Sequence, residues 1–121
     1  GDVNVDGSDV KAVLDDGQGA TLFGFGEGTG DNAAIEAMRM AIESSKCIMQ
    51  GAKGVLISFE THPDCPMNTL NDAMEMVHLS VDENANVLMG MNTRDNIPAD
   101  YVSVIILAKH QPLSFTYTKQ I

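Results

Sequence analysis

The apolar positions of this chain change period several times, and each change marks an element. Residues 9–15 (DVKAVLD) place Val10, Val13 and Leu14 on one helical face, and Gly17 and Gly19 stop that short helix. Residues 20–25 (ATLFGF) read as a strand that runs into the glycine-rich GEGTGD. A helix follows to about residue 45, capped by Asp31 or Asn32. Its apolar face is Ile35, Met38 and Ile42, with Ala34, Ala37 and Ala41 allowing close packing. Gly51 and Gly54 bracket a turn into GVLISF, a continuous apolar run of the kind buried on both faces of a sheet.

Pro63 and Pro66 break the next loop, THPDCPMN. Thr69 with Asp72 three residues later reads as a capping box, and Leu70, Ala73, Met74, Val77 and Val81 form the stripe of the helix it opens. Residues 86–91 (NVLMGM) and 101–108 (YVSVIILA) are two further strands joined by a polar loop, and the alternating 114–118 (SFTYT) could add a fringe strand. The pattern predicts an α/β fold: a single two-layer domain with a mixed sheet of about four strands and two helices on one face. An acidic loop over residues 1–9 and a short helix precede it, so the domain proper is residues 10–121.

Composition narrows the picture. A chain of 121 residues is one domain. Its net charge of −10, with seven scattered Lys and Arg, excludes nucleic acid and anionic membrane surfaces as natural partners, because both need a positive field. No apolar run approaches the roughly 20 residues of a membrane span, so no membrane insertion is expected. The chain opens Gly-Asp, which suggests a processed or excised piece. Cys47 and Cys65 are expected as free thiols in a reducing, cytoplasmic setting.

The densest chemistry lies at the start, in NVDGSDV, where Asn4, Asp6 and Asp9 crowd a loop that enters a helix. A calcium loop beginning at Asp2 fails, because Val13 occupies the position where a carboxylate must close the sphere. As plain structure, Asp6 and Asp9 suit a helix N-terminus, where the macrodipole favours negative charge by about 0.3–1 kcal/mol. As catalysts they could orient a water, directly or through a cation, against a phosphate held elsewhere. This chain has no P-loop lysine and no basic clamp of its own for that phosphate.

Two other clusters give way to simpler readings. The glycines of GFGEGTG could cradle a phosphate, but Glu27 and Asp31 flank them and close backbone approach explains them better. His62, Asp64 and Cys65 offer three metal-ligand types in four residues, yet a fourth ligand is lacking, and a solvated loop is the better reading.

Taken in order, these segments resemble the C-terminal domain of FtsZ, the bacterial tubulin-like division GTPase. NVDGSDV resembles the family's synergy loop. GFGEGTGDNAAIEAMRMAIESS resembles its strand, glycine turn and Ala-rich helix. GAKGVLISF, LNDAMEMVHLSVDENANVLMG and YVSVIILA resemble the later strands and helix. The likeness runs from residue 3 to residue 108, and Gly7-Ser8, FETH and AKH depart from the usual pattern, so the chain looks like a divergent member.

The resemblance implies roles. Asp6 and Asp9 would enter the nucleotide site of an adjacent subunit and set up the hydrolytic water there, with Asn4 supporting them. GTP and a divalent cation would belong to the full-length parent, and the fragment itself would hold no cofactor and no metal and would not be active alone. Its partners would be further copies, assembled head to tail, and the nucleotide-binding domain of the neighbour. A stand-alone α/β scaffold or binding module without nucleotide chemistry is the alternative, and a small enzyme with a site in the glycine-rich turn is a third.

Overall fold

The computed structural model describes residues 21–49 and 51–109. Chain order over these residues is β1 (Thr21–Thr29), α1 (Ala33–Met49), β2 (Gly54–Thr61), α2 (Met67–Ser80), β3 (Asn86–Thr93) and β4 (Tyr101–Lys109). The four strands form one sheet in the order β1-β4-β2-β3. β4 runs antiparallel to both β1 and β2, and β2 pairs in parallel with β3. The expected α/β domain with a mixed four-stranded sheet and two helices is therefore present. The short helix over residues 9–15 and the fringe strand over 114–118 lie outside the described residues.

Alternation along the strands decides which face is covered. On one face Val55, Ile57 and Phe59 of β2 and Val102, Val104, Ile106 and Ala108 of β4 are buried in a single core. Ala34, Ala37, Met38 and Ala41 of α1, with Leu70, Ala73, Met74 and Val77 of α2, complete it. These are the small and apolar positions that the helical period singles out, and Ile35 and Ile42 sit partly buried at its margin.

Two boundaries differ from the sequence reading, each for a physical reason. The glycine-rich stretch is not a loop: β1 continues through Gly26 and Gly28 to Thr29, paired with β4 along its whole length. The expected close backbone approach is real, but it occurs inside the strand. A β-carbon on Gly26 would lie 1.9 Å from the Ala37 carbonyl oxygen, and one on Gly28 would lie 2.5 Å from that of Ala33. Only glycine lets α1 lie this close to β1.

The second difference is the start of α2. It begins at Met67 behind Pro66, and no side chain caps it. Thr69 instead sits inside the first turn and donates its hydroxyl to the Pro66 carbonyl at 2.7 Å. Proline suits this boundary because it has no N–H to leave unpaired and its extended backbone (φ −67°, ψ 130°) leads into the helix.

Candidate functional site

β1, β2 and β3 all end at the edge of the sheet where β4 begins, so three loops converge there. Gly30 turns the chain from β1 into α1 with φ 97°, in the left-handed region that glycine tolerates, and its N–H donates to the Asp100 carbonyl at 3.0 Å. This bond ties the first loop to the one that leads into β4.

The β2–α2 loop carries the suspected ligand cluster. His62 Nδ1 accepts the Asp64 N–H at 3.0 Å, which fixes that nitrogen as an acceptor. Cys65 Sγ lies 3.7 Å from Thr69 Oγ1, inside a pocket of about 200 Å³ bounded by Ala33, Ala34, Asp100 and Val102. The loop is held by its own bonds, with its polar atoms turned onto one another. Among the described residues no three His, Cys, Asp or Glu side chains come together as a metal site would require. His78 is exposed on α2, away from this loop.

The face of the sheet opposite the helices is divided. At one end Phe23, Phe25 and Ile105 are exposed, 63 %, 41 % and 37 % respectively. Toward the loops the same face turns polar. Tyr101 donates its hydroxyl to Glu27 at 2.8 Å, and Arg94 reaches Glu60 at 3.3 Å while its Nε donates to Asn96. The bond to the Glu27 carboxylate, aided by burial, holds the Tyr101 phenol above its ordinary pKa. These are stabilising pairs across strands, and no nucleophile with an adjacent base stands among them.

Asn4, Asp6 and Asp9 lie outside the described residues. The glycines that could have cradled a phosphate are instead spent on packing α1 against β1. Sequence reasoning missed the Tyr101–Glu27 and Arg94–Glu60 pairs, because only the strand register sets those partners side by side.

Residues 19–110 match the family described as FtsZ family, C-terminal domain, which is most of the chain. The chain belongs to the FtsZ family. It is 38 % identical over 111 residues to the cell division protein FtsZ of Helicobacter pylori (strain ATCC 700392 / 26695), covering 89 % of this chain and 29 % of that protein. Against the cell division protein FtsZ of Aquifex aeolicus it is 31 % identical over 113 residues, covering 91 % of this chain and 30 % of the relative. The chain thus spans less than a third of the FtsZ relatives it matches.

Solved structures agree. An empty FtsZ dimer from M. jannaschii superposes with a TM-score of 0.69 at 29 % identity, over 90 % of this chain and 32 % of that one. CetZ1 from Haloferax volcanii, a GDP-bound monomer, reaches 0.67 at 17 % identity over 97 % of this chain and 37 % of its own, a likeness of fold alone. The four-stranded sheet with its two helices is the C-terminal domain of an FtsZ-type cell division protein, and no described helix is long and apolar enough to cross a membrane.

Proposed function

We propose that this domain is the assembly and activation half of an FtsZ-like filament-forming GTPase of the cytoplasm. Its acidic entry, Asn4, Asp6 and Asp9, completes the GTP hydrolysis site of the adjacent subunit. The observation that carries this reading is the match of residues 19–110 to the FtsZ C-terminal domain directly behind the NVDGSDV motif.

Chemistry supports the division of labour. Two carboxylates three positions apart repel one another, and the repulsion is relieved when a divalent cation and a polarised water arrive between them and a phosphate. Each head-to-tail contact would then build one hydrolytic centre from two chains, and such a heterologous contact propagates a filament. GTP and the cation are held by the partner's nucleotide domain, so this chain neither binds GTP tightly nor hydrolyses it alone.

Mixing the chain with a matching nucleotide-binding half and following phosphate release tests the proposal. Stimulated release is expected, dropping by roughly a hundredfold or more for Asp6→Ala or Asp9→Ala, the scale of losing a group that positions the attacking water. A folded chain that stimulates nothing would favour the scaffold reading, and tight GTP binding by the chain alone would favour a self-contained enzyme.

A further inference from the structure

One histidine closes the turn between β2 and α2 twice over. The His62 carbonyl accepts the Cys65 N–H at 3.0 Å, with Pro63 at the second position of the turn. The His62 ring accepts the Asp64 N–H on Nδ1, also at 3.0 Å. The ring thus takes the place that an Asn or Asp side chain fills in an Asx turn. His62 also ends FETH, one of the stretches where this chain departs from the family pattern.

An imidazole nitrogen accepts a hydrogen bond only while it is unprotonated. Once Nδ1 takes a proton it becomes a donor facing another donor, and the bond to the Asp64 N–H is lost. A replacement stands beside it. Asp64 Oδ2 lies 3.7 Å from Nδ1, too far for a hydrogen bond but within ion-pair reach. The Asp64 side chain is 80 % exposed and has room to swing in, whereas the ring is only 18 % exposed and stays anchored.

Other charges near the turn are already engaged or face elsewhere. Arg94 and Asp95, in the loop after β3, border a cavity with Pro63, but the Arg94 guanidinium is taken by Glu60 and Asn96. Asp31 and Asp100 border the pocket on the Cys65 side. Among the described residues the Asp64 carboxylate is the one acidic group within ion-pair distance of the ring.

We propose that His62-Pro63-Asp64-Cys65 is a proton-operated latch, in which the neutral ring holds the Asp64 backbone and the protonated ring exchanges it for the Asp64 carboxylate. Histidine is the side chain suited to such an exchange at physiological pH. The swap turns the peptide between Asp64 and Cys65. Cys65 forms part of the wall of the pocket of about 200 Å³ at the start of α2, so the shape of that wall follows the proton.

Proton–nitrogen correlation spectra of the chain, recorded from about pH 5 to pH 8, test the latch. The His62 ring signals are identified by their loss in His62→Asn. The Asp64 amide should shift with the same midpoint as the ring. Its protection against solvent exchange should be roughly fivefold lower on the acid side, the scale of one net hydrogen bond. His62→Asn keeps a side-chain acceptor that does not titrate, so the Asp64 amide should then hold its shift and protection across the range. Asp64→Asn keeps the N–H but removes the carboxylate, so in acid the turn has no second holding and the Cys65 amide should lose protection too. Three results would each overturn the proposal: an Asp64 amide that stays put while the ring titrates, one that still moves in His62→Asn, or a Cys65 amide that Asp64→Asn leaves unchanged in acid.

Discussion

Gly26 and Ala37 are in backbone contact: a β-carbon on the glycine would sit 1.9 Å from the alanine carbonyl oxygen and 2.6 Å from the Ala41 nitrogen. Neither obstacle is a side chain that can swing aside, so any larger residue must push α1 off β1. We expect Gly26→Ala to cost about 2–4 kcal/mol in urea unfolding, in the range of forced core displacement. Gly30→Ala provides the contrast. Space around Gly30 is open, but its φ of 97° strains any side-chain-bearing residue, and the cost should be nearer 1 kcal/mol. Equal costs at the two positions would show that α1 gives way easily and that the contact with Ala37 does not itself require glycine at Gly26.

Ser44 has two loyalties, since its hydroxyl also donates to the Ala41 carbonyl at 2.9 Å. Its contacts with Phe25 occupy backbone groups that β4 does not pair. Ser44→Ala should lower stability by about 0.5–1.5 kcal/mol, the usual net worth of a hydrogen bond. Amide exchange separates this from general loosening. The Phe25 amide should exchange faster in the variant while Val104 and Ile106, deep in the sheet, lose protection only in proportion to global stability.

Where the sequence pattern was local, it was sufficient. The uninterrupted GVLISF became β2: Val55, Ile57 and Phe59 are fully buried beneath the helices, and Leu56 on the opposite face is buried as well, so this part of the strand shows no polar alternation. The stripe of α2 was legible for the same reason. The glycines of β1 were placed too late, in a turn, because glycine signals a turn locally whereas the demand here comes from a helix about ten residues away in sequence. Thr69 and Asp72 resembled a cap, but Pro66 had already set the helix entry. The polar pairs of the open face, Tyr101 with Glu27 and Arg94 with Glu60, depend on register and left no trace in spacing. Asn4, Asp6 and Asp9 were singled out from sequence alone, and they lie outside the described residues.

Phe59 is the largest side chain in the fully buried set and sits on β2, at the centre of the sheet beside β4. Truncation there leaves a cavity that packed helices can only partly close. Phe59→Ala should cost about 3–5 kcal/mol and Phe59→Leu markedly less, both read from the denaturation midpoint. If the domain is only marginally stable, the alanine variant will be unfolded at room temperature while the leucine variant keeps its far-ultraviolet spectrum.

The Tyr101 hydroxyl can donate to Glu27 only while it keeps its proton, and the carboxylate 2.8 Å away is the foremost reason its pKa lies above 10.0; burial adds to the effect. The sign follows from that order. A group that holds its proton more tightly when folded stabilises the fold fully below its unfolded value, and the benefit disappears as pH rises through the folded value. Stability should therefore fall beyond pH 10 more steeply in this chain than in Tyr101→Phe. Phenolate absorbance gives the direct reading. The Tyr101 titration, identified by its loss in Tyr101→Phe, should lie above the ordinary tyrosine value, and Glu27→Gln should draw it back toward that value. A Tyr101 titration that ignores Glu27→Gln would mean that the carboxylate is not its cause, and the bond across β1 and β4 would then be a bystander to the packing of that face.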